Sequence, residues 1–163
     1  MKATLTSAAQ TRALGERLAA LLRPGDLVIL TGDLGAGKTT FTQGIGAGLG
    51  VRGDVASPTF IIARAHPPQG DGPGLIHVDA YRLGSLAELD DLDLDTALDD
   101  SVTVVEWGEG MAEALAASRL EVSLERPRGG EPTGDPEAGD RVVTIEGVGP
   151  RWAGVYLGAL AVT

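Results

Sequence analysis

Three residue types are scarce or missing in this chain of 163 residues, and two of the gaps exclude a kind of site. The chain has no cysteine, so disulfides and thiolate metal sites are excluded. It has no asparagine, so the Asn-Lys-x-Asp motif that recognises guanine cannot be present. Lysine occurs only at Lys2 and Lys38, although there are 13 basic residues.

Long apolar stretches are also missing. No run is long enough to span a bilayer, and the first residues lack the basic-then-apolar pattern of a signal peptide. These absences, with the lack of cysteine, favour a cytoplasmic protein that does not bind membranes. The net charge of −10 argues against nonspecific electrostatic binding of nucleic acid, because phosphate contacts need clustered Lys and Arg. The length fits one domain over residues 1–163.

Against this background, the second lysine stands in a complete G-x-x-x-x-G-K-[ST] motif, GDLGAGKT at residues 32–39. The motif is the phosphate-binding P-loop. Its lysine is a slim, flexible ammonium that reaches between two phosphates, which a broad guanidinium cannot easily do. In a chain that otherwise prefers arginine, the lysine at position 38 therefore indicates phosphate binding.

The flanking residues support this interpretation. The apolar run 27–30 is typical of a buried strand, and Phe41, Ile45 and Leu49 share one face of a helix predicted over 40–49. Loop N–H groups and the helix N-terminus then point at an anion. We predict that Lys38 binds the β- and γ-phosphates, that Thr39 binds Mg²⁺ and that Thr40 donates to the α-phosphate. The residues predicted to bind the nucleotide here are Gly32, Asp33, Leu34, Gly35, Ala36, Gly37, Lys38, Thr39 and Thr40.

Strand and helix patterns alternate along the rest of the chain, which is typical of a three-layer α/β domain. A capping box at 7–10 opens a helix predicted over 8–22. Strands are predicted within 56–65 and over 75–79, 102–106, 120–124 and 141–145. Short helices are predicted within 84–100 and 111–117, a mobile loop over 126–140, and a closing helix over 152–161.

A P-loop requires a carboxylate that follows a neighbouring apolar strand. Asp79 follows LIHV and Glu106 follows VTVV, so both qualify as catalytic residues, and spacing alone does not assign one to the metal and the other to water. His77 shares a strand face with Asp79 and is interpreted as a structural histidine.

Four blocks, in order, resemble the TsaE family, formerly called YjeE. They are GDLGAGKTTF at 32–41, SPTF at 57–60, HVDAYRL at 77–83 and the Glu106-Trp107 pair. The LGERLA segment at 14–19 fits as well, and the resemblance covers roughly residues 5–125. The P-loop alone is generic, whereas the ordered set is specific.

The resemblance implies a P-loop NTPase domain with a mixed, mainly parallel sheet, using ATP and Mg²⁺. Thr39 and Glu106 would be the metal ligands, Asp79 would serve hydrolysis, and Thr59 and Trp107 would lie near the nucleotide. The family supports threonylcarbamoyladenosine modification of tRNA, together with TsaD-like and TsaB-like partners that carry out the transfer.

Two other functions remain open from the residues alone. A small-molecule phosphotransferase usually carries an arginine-rich lid, but the loop 126–140 is mostly Gly, Pro and acid around Arg126 and Arg128. An ATP-gated docking module with little turnover has the same sequence features as a partner-dependent ATPase.

Overall fold

The computed structural model describes residues 1–32, 36–51, 63–70, 72–79, 100–106, 118–126 and 140–161. Its helices and longer strands follow the apolar patterns of the sequence. The elements are β1 (Lys2–Leu5), α1 (Ala8–Ala19), β2 (Leu27–Thr31), α2 (Lys38–Leu49), β3 (Ala63–His66), β4 (Gly74–Asp79), β5 (Ser101–Glu106), β6 (Arg119–Glu125) and β7 (Arg141–Val148).

The strands form one mixed sheet in the order β1-β7-β6-β2-β5-β4-β3. Strand β2 lies at its centre and pairs in parallel with both β5 and β6, and β4 extends the parallel core beyond β5. Strand β3 adds an antiparallel edge on one side, and β7 and β1 add two antiparallel strands on the other. The predicted α/β class with a mixed sheet and a parallel core is confirmed.

Both faces of the central strand are buried, as expected of a parallel sheet inside an α/β domain. Val28 and Leu30 face α1 and α2 and join the main core cluster, which includes Phe41 of α2. Leu27 and Ile29 point to the opposite face and are at most 2% exposed. Because neither face of the strand meets water, its sequence is a continuous apolar run.

Helices α1 and α2 pack unusually close together at three glycines. A Cβ atom on Gly44 would lie 2.1 Å from the carbonyl oxygen of Arg12, and one on Gly15 would lie 2.4 Å from that of Phe41. A Cβ atom on Gly48 would meet Ala19 at 2.5 Å. The backbones of the two helices therefore touch at these glycines. This contact holds α2, and with it the end of the P-loop, against α1.

The predicted capping box at the start of α1 is confirmed for the Ser7 side chain, whereas the Gln10 side chain bonds Thr6 and not the N-cap residue. Ser7 accepts a hydrogen bond from the Gln10 backbone N–H at 3.2 Å, and Gln10 Oε1 accepts one from the Thr6 N–H at 2.8 Å. The bond to Ser7 satisfies one of the donors that the first helical turn leaves without intrahelical partners, and the bond from Thr6 holds the residue before the cap.

Two predicted elements differ from the structure. The first helix ends at Ala19 instead of residue 22, and single turns carry the chain to Leu22. The closing helix predicted over 152–161 is wrong, because the chain forms two short 3₁₀ segments, Pro150–Trp152 and Leu157–Ala161. Glycines at 154 and 158 weaken a continuous α-helix there.

One strand was not predicted. Strand β1 is short and only one of its residues is buried, so its apolar pattern is weak. It is held by pairing with β7, and the Met1 ammonium donates to the Ile145 carbonyl at 2.8 Å.

Arg151 joins the segment after β7 to the residues that precede β2. Its guanidinium donates two hydrogen bonds to the Asp26 carboxylate, both at 3.1 Å, and one to the Leu21 carbonyl at 2.7 Å. The same group lies 4.1 Å from the centre of the Trp152 ring. Asp26 also accepts from the Arg23 N–H at 2.7 Å, so this buried carboxylate is well satisfied.

The short helices predicted within 84–100 and 111–117 lie outside the described residues, apart from Asp100. So does most of the loop predicted over 126–140, of which Arg126 and Asp140 are described. Within the described ranges, no helix is both long enough and apolar enough to cross a membrane.

Candidate functional site

The candidate site lies at the carboxyl edge of the parallel strands, which is the usual ligand edge of an open α/β sheet. Leu30 of β2 pairs with Glu106 of β5, and Asp79 of β4 pairs with the same glutamate on its other side. The P-loop begins at Gly32, directly after Thr31, the last residue of β2. The topology therefore brings the loop and both predicted carboxylate positions to one place.

Gly32 begins the loop at a position where a side chain does not fit. Its φ is +155°, and a Cβ atom would lie 2.5 Å from the Leu124 carbonyl oxygen at the end of β6. Thr31, just before it, is also tied to β6 through a hydrogen bond to the Val122 carbonyl at 3.4 Å. The start of the loop is thus packed directly on the neighbouring strand.

Gly37 ends the loop and forms the N-cap of α2 in the left-handed conformation, with φ of +103°. Its cap position has no side-chain hydrogen bond, and the first turn of α2 has no acidic residue. The first N–H groups of a helix have no intrahelical acceptors and carry partial positive charge. This end of α2 is therefore suited to an anion.

Lys38 is the first residue of α2, and its side chain is buried, with 7% of the residue exposed. Its ammonium donates a hydrogen bond to the Gly32 carbonyl, so the side chain turns back to the start of the loop. Its own carbonyl accepts from the Thr42 hydroxyl at 2.8 Å. The positive charge thus lies against the first residue of the loop.

Thr39 and Thr40 follow Lys38 in the first turn of α2, and both are half-buried. Ala36, which precedes the cap, is buried. The methyl group of Thr11 in α1 is 3.6 Å from the position a Cβ atom would take on Gly37. Helix α1 therefore lies beside the end of the loop at Gly37.

Glu106 is the last residue of β5, and its side chain is only 5% exposed. The Nε2 atom of His77 lies 3.1 Å from its Oε2 atom, and the histidine side chain is fully buried. The contact is at hydrogen-bond distance, but the ring is not aligned for a hydrogen bond, and neither His77 nitrogen has such a partner among the described residues. The predicted structural histidine therefore stands against the carboxylate of the candidate site.

One cation near this edge has a shifted pKa. Burial, and then the neighbouring Arg126, lower the pKa of Arg141 at the start of β7. Both arginines lie next to the carboxyl end of β6, since β6 and β7 run antiparallel with Glu125 opposite Val142. They add positive charge to the side of the sheet that carries the loop.

The predicted site residues fall into three groups in the structure. Seven are described with their side chains: Gly32, Ala36, Gly37, Lys38, Thr39, Thr40 and Glu106. Asp79 is described through its backbone alone, which lies beside Glu106. Asp33, Leu34, Gly35, Thr59 and Trp107 lie outside the described residues.

The sequence did not predict two parts of this arrangement. The contact of His77 with Glu106 depends on the pairing of β4 with β5, although the shared face of His77 and Asp79 was a partial signal. The close support of α2 by α1 was signalled by glycines at 44 and 48, whose spacing of four residues puts them on one helix face.

Comparison with known proteins identifies the relatives of this chain. Residues 5–131 match the model of the family described as threonylcarbamoyl adenosine biosynthesis protein TsaE. The chain is 59% identical over 151 residues to the tRNA threonylcarbamoyladenosine biosynthesis protein TsaE of Streptomyces coelicolor, covering 92% of this chain and 99% of that protein. It is 40% identical over 145 residues to the protein of the same name from Bacillus subtilis, covering 88% and 83%.

The fold is shared as well. The crystal structure of Bacillus subtilis YdiB superposes with a TM-score of 0.66 at 34% identity, covering 91% of this chain and 86% of that one. The sequence matches, the shared fold and the P-loop all indicate the same family. The chain belongs to the TsaE family, a family of P-loop proteins of threonylcarbamoyladenosine biosynthesis.

Proposed function

We propose that this protein binds and hydrolyses ATP in order to support threonylcarbamoyladenosine modification of tRNA by a partner complex. The observation that carries the proposal is the meeting of the P-loop, Glu106 and the Asp79 backbone at one edge of the parallel strands. Family membership supplies the process that this site would serve. The missing guanine motif favours adenine over guanine nucleotides.

Lys38 is the proposed phosphate ligand. Its ammonium lies on the Gly32 carbonyl at the start of the loop, and this flexible side chain would turn from there to the phosphates. Loop and helix N–H groups complete the cradle, and Thr40 donates to the α-phosphate. Thr59 and Trp107 are proposed to lie close to the bound nucleotide.

The donors at the site fit Mg²⁺. This ion prefers oxygen ligands and keeps several waters, so it needs only one or two protein groups. The Thr39 hydroxyl and the Glu106 carboxylate supply two such oxygens, and the described residues contain no cluster of three or more His, Cys, Asp or Glu that would favour another metal. When bound, Mg²⁺ neutralises charge on the β- and γ-phosphate oxygens.

Asp79 and Glu106 are the proposed residues for hydrolysis. One of the two carboxylates orients the attacking water, and Glu106 also holds the metal. The substitutions Asp79→Asn and Glu106→Gln distinguish these roles, because loss of a water-orienting group lowers turnover without changing the Mg²⁺ dependence of ATP binding. Loss of a metal ligand changes both.

TsaD-like and TsaB-like proteins are the proposed partners, and the cytoplasm is the proposed location. The net charge of −10 suits a protein partner better than direct strong binding of nucleic acid. Residues 1–163 are proposed to act as one domain.

The test is phosphate release from ATP, measured for the protein alone and with both partners. We expect slow turnover alone and a clear rise when both partners are present. Nucleotide binding without any rise would favour the docking module. Transfer of phosphate to a small metabolite would favour the phosphotransferase, and no ATP binding at all would contradict the proposal.

A further inference from the structure

A buried histidine contacts the carboxylate to which metal binding is assigned. His77 of β4 is 0% exposed, and its Nε2 atom lies 3.1 Å from Oε2 of Glu106. In the register of β4 and β5, His77 pairs with Val104, two residues before Glu106. The imidazole therefore stands on the same face of the sheet as the glutamate, diagonally behind it.

Packing alone is a poor reason for a histidine at this position. Leu75 and Val104, which share the sheet face of His77, are fully buried and apolar, and an apolar side chain of similar size would fit such surroundings. Neither nitrogen of the ring has a hydrogen-bond partner among the described residues. A buried polar group without partners lowers stability. Among the described residues, the polar group that stands against the ring is the Glu106 carboxylate, so we look there for the benefit that offsets this cost.

The described surroundings of Glu106 lead to the same conclusion. Its carboxylate is buried, and the described residues join it to one polar group, His77, which stands against a single oxygen. A glutamate side chain has three rotatable bonds and loses freedom only when neighbouring atoms restrict it. The imidazole restricts it from the strand side.

We propose that His77 is a positioning residue for Glu106. The polar contact of its Nε2 atom with Oε2, at 3.1 Å, restricts the rotation of the carboxylate and leaves Oε1 for the metal or its bound water. His77 itself contacts neither metal nor nucleotide in this scheme. The inference rests on the proposed function, in which Glu106 is a Mg²⁺ ligand, and it extends the partner-orienting role that outer groups play at metal sites.

The test measures how strongly Mg²⁺ and nucleotide help each other to bind. Titration calorimetry gives the dissociation constant of a non-hydrolysable ATP analogue with Mg²⁺ and with EDTA, and the ratio of the two is the Mg²⁺ effect. His77→Leu removes both ring nitrogens at similar volume. We expect it to reduce the Mg²⁺ effect by about tenfold while affinity in EDTA stays at the wild-type value.

Three further variants separate positioning from a merely structural role. His77→Gln keeps a polar group against the carboxylate and should restore part of the Mg²⁺ effect. In a Glu106→Gln background, His77→Leu should have no further effect, since the group on which it acts is gone. Thr103→Val is the matched control, because Thr103 is a buried residue of β5 whose hydroxyl has no described partner and which pairs with Leu27 of the opposite face.

A wild-type Mg²⁺ effect in His77→Leu would overturn the proposal, and so would a further loss in the double variant. If His77→Leu does not fold, His77→Gln and His77→Asn replace it, because their amides reach the carboxylate to different extents. Equal Mg²⁺ effects in that pair would overturn the proposal too. If the wild-type protein shows no Mg²⁺ effect, the proposed role of Glu106 as a metal ligand is contradicted. If the wild type shows the effect and the His77 variants keep it unchanged, the role of Glu106 stands and only the role of His77 is contradicted.

Discussion

Gly44→Ala tests whether the close contact of α1 and α2 holds the P-loop helix in place. The new Cβ atom would lie 2.1 Å from the Arg12 carbonyl oxygen and 2.9 Å from the carbonyl carbon, whereas ordinary contact begins near 3.4 Å. Both neighbouring atoms are backbone, so no side-chain rotation relieves the clash. The two helices must therefore move apart by about 1 Å in a closely packed core.

The expected cost follows from two opposing terms. Overpacking costs up to about 3 kcal/mol when neighbours cannot rearrange, and alanine in a helix interior recovers about 1 kcal/mol relative to glycine. The net loss is about 2 kcal/mol, which corresponds to a fall in melting temperature of about 4–8 °C for a chain of this size. Urea unfolding with an unchanged m-value would measure the same loss at constant temperature.

Gly154→Ala is the matched control. A Cβ atom there has no neighbour within 4 Å, and the backbone is not left-handed, so we expect a change near zero. Because helix propensity acts in the opposite direction to the clash, the sign of the Gly44 result is decisive. A Gly44→Ala protein as stable as the wild type, or more stable, would refute the close contact between the backbones of α1 and α2.

Two further substitutions test the start of the loop and the base of the sheet. Gly32→Ala places a Cβ atom 2.5 Å from the Leu124 carbonyl at a positive φ, so we expect weaker ATP binding by titration calorimetry together with a lower melting temperature; unchanged affinity would contradict the packed loop start. Asp26→Ala leaves the Arg151 guanidinium without its carboxylate partner, so we expect a loss of about 1–3 kcal/mol in urea unfolding, and full wild-type stability would contradict a structural role for this pair.

The sequence predicted the strand, loop and helix around Lys38 because the motif and the apolar periodicity agree there. It also predicted β5 and β6, whose apolar runs are clear. It did not predict β1, where pairing with β7 stabilises a strand with one buried residue. The closing helix was wrong because local apolar residues were given more weight than the glycines among them.

The contacts within the site depend on strand order, which no local pattern encodes. Glu106 and Asp79 were both predicted as strand-end acids, but their adjacency arises from the pairing of β4 with β5. The same pairing puts His77 against Glu106, a contact between residues 29 positions apart in the chain. Sequence therefore predicted the kinds of groups at the site, and the sheet determined which of them meet.

Nucleotide titration of the wild-type protein and Lys38→Ala, with and without Mg²⁺, shows whether the loop binds ATP. We expect tight, Mg²⁺-enhanced ATP binding in the wild type and its loss in the variant, with the melting temperature of the free protein showing that Lys38→Ala is folded. Equal ATP affinity in the two folded proteins would contradict the assignment of the loop at residues 32–39 as the nucleotide site.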